Sequence, residues 1–416
     1  MYRLTHNLFI FLACLFAVIK TQAQNVSSPY SLIGIGDIED SYFNRTSGMA
    51  NTGIAYRNNS FILLNNPAAI SELQDQLFII ELSARGKFVN YSGKDVTTHL
   101  TGKDFSVERI SMGMRINKWW GSSIGFMPFS TSNYAFSGTK SLQGTTGTLP
   151  VEYDGSGGIN RYFFANGFRI SKNLSVGVNT SFLGGSLKQL DSLLSPDLST
   201  ALYTTRNVYI RNLYLEYGLQ YHLPVTKKWD INIGATYAQK TGLRAQTTAL
   251  VKDNTGDTLL NRVLTNNYFT LPNTTGFGIA LVKNKELTFL ADYRFQDWSS
   301  LNIRGLNYSL ENSSRYSAGV EYSKHKSYMH LSYEVFNLQA GVYYNKSYLK
   351  IYNQQLNDEG FTLGAGVNSK RSSMSYHLAF QYGMRGSQSL IKESYTSFTV
   401  GLSFKDFWNT KGKKYF

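Results

Sequence analysis

The sequence predicts an all-β fold: a closed antiparallel barrel of about 14 strands that crosses a membrane around an internal plug. Three observations predict it. The chain opens with an export signal, its later segments alternate apolar and polar residues with turn signals between, and about 50 residues near its start do not alternate at all.

The export signal comes first. Arg3 supplies a positive charge, Leu8 to Ile19 is apolar, and Thr21-Gln22-Ala23 offers the small residues read by a signal peptidase, so residues 1–23 are expected to be removed after Ala23. About 12 apolar residues are too few to cross a bilayer as a helix. Cys14, the one cysteine, follows Leu12-Ala13 and weakly mimics a lipidation box, but the apolar run continues past it to Ile19. With Cys14 removed, no disulfide or thiolate metal site is expected.

Composition narrows the class. In 416 residues, 42% are hydrophobic and only 16% charged, a balance low in charge for a soluble enzyme of this size. Aromatics reach 14%, with 29 Tyr and 26 Phe, which suits the aromatic girdles of membrane barrels. No later segment holds 18 consecutive apolar residues, so helical spans are excluded and only a closed barrel remains for a membrane protein. The formal charge of +14 falls to about +12 when Arg3 and Lys20 leave with the signal. The basic residues are dispersed and no recognition helix is evident, so anionic headgroups or a carboxylate-favouring lumen are expected as partners rather than nucleic acid.

The strands are read from period-two patterning. Ile110, Met112, Met114 and Ile116 oppose Ser111, Gly113, Arg115 and Asn117; Leu213, Leu215, Tyr217, Leu219 and Tyr221 oppose Glu216, Gly218, Gln220 and His222. Similar runs follow Leu174, Trp229 and Leu287, and the last is Phe398 to Lys405. A β-sandwich would alternate too. The apolar faces here end in Tyr or Trp, as at Tyr217, Tyr221, Trp229, Tyr237 and Tyr293, and the polar faces are small, which favours a barrel with a lumen. Tight turns alternate with polar stretches at 137–150, 187–205 and 247–267, read as long outer loops. A first strand near Leu77 and roughly a dozen residues per strand and connection give about 14 strands, with 12 or 16 also open, over a barrel spanning 77–404. A basic tail, 405–416, follows.

Residues 24–76 are irregular, and irregular backbone cannot face lipid. Apolar Leu32, Ile33, Phe61, Leu63 and Leu64 favour burial in the lumen as a plug. Within it, Gly53-Ile54-Ala55 and Leu64-Asn65-Asn66-Pro67-Ala68-Ala69-Ile70 resemble the hatch of the FadL/TodX long-chain fatty-acid transporters. Further on, Leu271-Pro272, Gly278, Leu287-Thr288-Phe289, Ala291-Asp292-Tyr293 and Asp297-Trp298-Ser299-Ser300 resemble that family's Pro, Ala-Asp and Trp-Ser stretch, in the same order. The terminal tail departs from the family, and the outer loops lack its apolar patch.

The resemblance implies an outer-membrane transporter, in a Gram-negative-type envelope, that takes up hydrophobic small molecules such as long-chain fatty acids, with a sideways exit through the wall. A monomeric barrel without cofactors is expected. Hatch residues Tyr30, Leu32, Ile33, Phe61 and Leu64 are candidates to touch an apolar ligand, with Asn66, Pro67 and Ala68 fixing the hatch turn. Inward parity nominates Arg85, Lys87, Arg115 and Arg294 as carboxylate partners. For the apolar residues the plainer alternative is plug packing; for the cations it is a solvated wall or an acidic neighbour such as Glu81 or Asp292. A structural or secretion-associated barrel of the same fold, with a periplasmic partner on the basic tail, is the alternative function. An enzyme is disfavoured: Gly121-Ser122-Ser123-Ile124-Gly125 matches G-x-S-x-G but opens a strand, no phosphate loop or metal spacing is present, and His325, Ser327, His330 and Ser332 lack a lipase context.

Overall fold

A computed structural model describes residues 28–39, 45–75, 77–93, 96, 100–141, 148–193, 201–305, 307–328, 331–369 and 373–407. The expected signal peptide and most of the basic tail lie outside them.

The chain closes into an antiparallel barrel of 14 strands. They are β1 Leu77–Gly93, β2 Leu100–Asn117, β3 Trp120–Thr131 continued by Tyr134–Ser141, β4 Thr148–Arg169, β5 Leu174–Leu193, β6 Leu202–Pro224, and β7 Trp229–Ala238 continued by Thr241–Lys252. Next come β8 Thr258–Leu271 continued by Thr274–Lys283, β9 Leu287–Gln296, β10 Tyr308–Leu310 continued by Ser313–Tyr328, β11 Leu331–Ile351, β12 Gln354–Asn368, β13 Met374–Arg385 and β14 Ile391–Phe407. Strand β14 pairs with β1 along its whole length, from Ile391 opposite Gly93 to Phe407 opposite Leu77, so no edge is left at the seam. The predicted parity holds: Ile110, Met112, Phe182, Leu213, Ile233, Phe289 and Phe398 are exposed on the lipid side, while Ser111, Asn179, Gln220, Asn232 and Ser397 are buried on the lumen side.

Two readings need correction. The stretches taken for long outer loops are mostly strand: β3 runs to Ser141, β5 to Leu193, β6 starts at Leu202, and β7 and β8 are joined by a short turn at 253–257. Beyond the lipid an outer face no longer needs apolar residues, so the alternation fades while the backbone ladder continues. The basic tail also starts later than expected, because Lys405 to Phe407 complete β14 and the Lys405 ammonium lies 3.7 Å from the Phe61 ring centroid inside the barrel.

The outer rim of the wall is split in two places. Strand β2 pairs with β3 only from Ile110 (opposite Phe126) to Asn117. At Pro128, which has no N–H to give, β3 bulges, and it breaks again at Ser132-Asn133. Strand β9 stops at Gln296, level with Thr274, leaving the outer half of β8 without a strand on that side. Trp298 seals the foot of this second gap, fully buried and stacked on Tyr348 at 4.5 Å. Between the two splits, the outer halves of β3 to β8 stand as a six-stranded sheet.

The lumen is filled by residues 28–39 and 45–75. They form three short 3₁₀ turns, Pro29–Leu32, Arg45–Met49 and Pro67–Glu72, and one two-residue strand, Asp37–Ile38. Inward glycines on nine strands make room for them: Gly121, Gly167, Gly177, Gly218, Gly234, Gly278, Gly319, Gly341 and Gly364 each face hatch atoms where a Cβ would stand. A Cβ on Gly167 would lie 2.5 Å from the Ser71 nitrogen, and one on Gly319 2.6 Å from the Met49 Cβ. The wall is therefore shaped for the plug. Replacing Gly177, which faces the Pro67–Ala68 peptide, by Val should expel this part of the hatch while the ladder persists. Limited proteolysis should then cut within residues 45–76 of a barrel that still migrates as heat-modifiable, whereas the unaltered hatch should resist.

Candidate functional site

The site is the contact between hatch and wall. Its turn is built as the motif suggested. The Asn66 Oδ1 accepts from Ala68 N at 3.0 Å and caps the turn that Pro67 begins, while its Nδ2 donates to the carbonyls of Ile54 (2.9 Å) and Leu219 (3.0 Å). One side chain thus ties the turn to a second hatch segment and to β6. Asp292 of β9 accepts from the amides of Gly53 at 2.6 Å and Ile54 at 2.9 Å, so the Ala-Asp element fastens the hatch instead of neutralising a wall arginine.

Charged groups hold the hatch at three levels. At the inner end, Arg45 donates to Glu321 at 2.8 Å and pairs with Glu334 at 2.8 Å, while the Tyr56 hydroxyl and Gln339 amide also donate to Glu321. The Arg45 guanidinium lies 4.8 Å from the Phe61 ring centroid, and Phe61 meets His377 edge-on. Glu81, which accepts from the Ile62 amide, pairs with Arg109. On the flank, Glu72 pairs with Arg57 at 2.5 Å and Arg169 at 3.2 Å. Burial works against the Glu72 charge, yet Arg57 and then Arg169 outweigh it and hold the carboxyl below its usual range.

At the outer end the hatch strand lies in the gap between β2 and β3. Asp37 and Ile38 sit opposite Thr131 and Ser130 of β3, and the Glu39 amide donates to the Phe129 carbonyl at 2.9 Å. Hatch backbone stands where β2 would otherwise continue. Asp37 accepts both guanidinium nitrogens of Arg385, at 2.8 and 2.9 Å, and Glu39 accepts both of Arg85, at 3.2 and 3.3 Å. Arg85 also reaches Glu108 of β2 at 3.0 Å, so one arginine joins the hatch to the far side of the gap.

The predicted ligand residues do not share one site: Leu64 and Arg294 border one cavity, Arg85 and Lys87 another. Tyr30 is buried near the outer end, where its hydroxyl donates to the Ile391 carbonyl at 2.6 Å, and burial followed by nearby Glu393 pushes its phenol up to about 12. Ile33 packs on the same outer apolar cluster, and the Leu32 carbonyl accepts from Gln189. Phe61 and Leu64 belong to separate inner packing. Arg85 already has carboxylate partners, Lys87 lies 4.7 Å over the Tyr395 ring, Arg115 donates to the Asn117 and Leu73 carbonyls, and Arg294 borders the same cavity as Leu64. Of the acidic neighbours suggested for the cations, Glu81 pairs with Arg109, and Asp292 accepts the Gly53 and Ile54 amides with Arg294 nearby. Sequence reading missed Arg45, Asp37, Arg385 and Glu321, whose partners lie hundreds of residues away, and Glu39, whose partner Arg85 is 46 residues away.

Three spaces between hatch and wall are small. A cavity of about 60 Å³ lies between Leu64, Phe129, Tyr214 and Arg294, one of about 30 Å³ beside Phe61 and Arg109, and one of about 120 Å³ is lined by Glu39, Arg85, Lys87 and Arg385. Small-molecule pockets usually measure roughly 300–1,000 Å³. A larger concavity, about 640 Å³, is on the lipid side, bordered by Phe277, Tyr293, Tyr316 and Tyr344. Ser123 of the G-x-S-x-G match donates to the Met112 carbonyl within the wall, with no nucleophile geometry.

Two outcomes follow. Arg45→Ala strands Glu321 and Glu334 and should lower unfolding stability by about 3–5 kcal/mol in urea titrations of the detergent-solubilised barrel. Because the Glu72 carboxyl is held below its reference value of 4.5, its pairs contribute fully above that pH and are lost as pH falls through the lowered value. Hatch release, followed by proteolysis against pH, should therefore have an acid limb that Glu72→Gln flattens.

The model of the BamG family matches residues 4–415. No curated protein matches the chain. Among solved structures, the CymD monoaromatic hydrocarbon channel is 15% identical, with a TM-score of 0.59 over 91% of this chain and 99% of its own. A Pseudomonas aeruginosa FadL homologue is 13% identical, with a TM-score of 0.60 over 90% and 100% of the two chains. The Pseudomonas putida toluene transporter TodX is 16% identical, with a TM-score of 0.60 over 89% and 99%. At such identities the likeness is one of fold. A barrel of this type belongs in a Gram-negative outer membrane, and the chain is a member of the BamG family built on the barrel architecture of the FadL channels.

Proposed function

We propose that this protein is a gated outer-membrane passage for small hydrophobic molecules, closed at rest by its own hatch. The observation that carries this reading is the split between β2 and β3, occupied by Asp37–Ile38. A wall that needed only to be closed would continue the β2–β3 ladder to the rim. Here that ladder stops at Ile110 opposite Phe126, and a removable segment stands in its place. If that segment withdraws, an apolar molecule can leave sideways into lipid without entering water, which is the favourable direction for buried apolar area. The solved relatives named as hydrocarbon and toluene channels support an apolar cargo.

A long-chain fatty acid fits one further feature. Arg85 and Arg385 already grip two carboxylates of the hatch, Glu39 and Asp37. A cargo carboxylate offers the same bidentate geometry, so its binding there would release the hatch strand and open the gap in one exchange.

The small cavities favour a second reading, a permanently sealed barrel that serves an outer-membrane assembly. The test uses a reversible lock. Cys14 is the only cysteine, so Ile38→Cys with Ser130→Cys, directly opposite in the ladder, can be oxidised to a staple. In proteoliposomes, uptake of a fluorescent long-chain fatty acid should fall at least tenfold on oxidation and return on reduction. Uptake no faster than through protein-free liposomes, in both states, would overturn the transport reading in favour of the sealed barrel.

A further inference from the structure

The outer half of β8 is an exposed strand edge. On one side Thr258–Leu271 pairs with β7, while on the other β9 ends at Gln296, and no backbone bond among the described residues reaches 258–265 from that side. Every residue from Thr258 to Thr265 is exposed. Four are large and apolar: Leu259 is 59% exposed, Leu260 48%, Val263 55% and Leu264 41%.

Lipid does not account for them. Val263 lies 14 residues beyond Phe277, an outward residue of the same strand. At roughly 3.3 Å per residue and a tilt of roughly 45°, this is a rise of about 30 Å, the full thickness of a hydrocarbon core, above a residue already within it. The segment stands in water at the end of the barrel opposite the short turns at 118–119, 225–228 and 284–286, which is the cell-surface end in outer-membrane barrels.

Soluble edges of this kind are normally blunted by charge, proline or a bulge. The other edge of the same six-stranded sheet follows the rule: β3 is bordered by the hatch strand at Ser130 and Thr131 and carries Lys140 farther out. The β8 edge has neither cover within 258–265, and its one charge, Arg262, stands opposite Ala249 on one face of the sheet. On the face where Val208, Ile210 and Ala245 turn inward, Ala249 has Arg206 on one side and Arg262 on the other, with Leu260 and Leu264 on the same face. The edge thus offers unpaired backbone groups, apolar residues on both faces, and two neighbouring guanidiniums.

We propose that Thr258–Thr265 receives an extended segment of a partner protein at the cell surface, added to the sheet as a further strand and carrying acidic residues among apolar ones. Main-chain hydrogen bonds supply the affinity of such an addition, and alternate side chains its selectivity.

The probe is a fluorescein-labelled octapeptide of alternating Val and Glu, added to the full-length barrel in lipid nanodiscs and followed by anisotropy and amide exchange. Saturable binding is expected, with exchange at 258–265 slowed at least tenfold. The same peptide with alternate backbone nitrogens methylated should bind at least tenfold more weakly, and a Val–Lys peptide or Arg262→Glu should weaken it at least threefold. Val263→Lys and Leu264→Lys, both exposed and so harmless to folding, should each reduce binding; heat-modifiability confirms that they are folded. Equal binding of methylated and unmethylated peptides, unchanged exchange at 258–265, or absence of binding overturns the proposal. So does protection of the edge in peptide-free protein accompanied by crosslinked dimers, which would make the occupant a second copy of the chain.

Discussion

The structure depends on one constraint. A segment of irregular backbone lies inside a tube whose outside is lipid, so each polar group of that segment must find its partner on the inner wall. Two features of the wall meet this demand. Glycines on nine strands let hatch backbone approach the ladder, and a few polar side chains, Gln220, Asp292 and Thr362 among them, accept or donate to the hatch backbone where it arrives. The inward face is small because of what it holds.

The ion pairs work differently. Removing two charges from water costs several kcal/mol per ion, so a buried pair is a poor source of net stability and a strong source of specificity, since the loss of either partner leaves the other stranded. Arg45 with Glu321 and Glu334 fixes the inner end of the hatch in one position. Arg85 and Arg385 do the same for the strand in the wall gap, but their carboxylates, 15% and 17% exposed, border a cavity of about 120 Å³. The hatch is therefore fastened most deeply at the inner end, and the end nearer the cell surface is the one a ligand can reach.

Much of this was legible in the sequence. Alternation in Ile110–Asn117 and Leu213–His222 gave the lipid face because hydrocarbon enforces period two. The first strand at Leu77 and the irregular segment before it were readable for the same reason. The strand ends were not, because a ladder above the membrane is held by backbone bonds that leave no pattern, so 247–267 read as loop. The gap between β2 and β3 was not legible either, because the segment beside it, Asp37–Ile38, comes from a distant part of the sequence. The candidate residues failed as a set: Tyr30 and Phe61 are 31 positions apart in a chain that runs the length of the lumen, so shared apolarity did not imply a shared pocket. Arg85 was correctly placed inward, yet its partners, Glu39 and Glu108, came from the hatch and the neighbouring strand.

The central claim is that hatch and wall form one packed unit. Amide hydrogen exchange of the full-length barrel in nanodiscs tests it most directly, read at Ala50, Gly53, Ile54 and Ile62, whose amides donate to Thr362, Asp292 and Glu81 of the wall. These amides should exchange as slowly as those of the central strands. Exchange at the rate of an unstructured peptide would contradict the account.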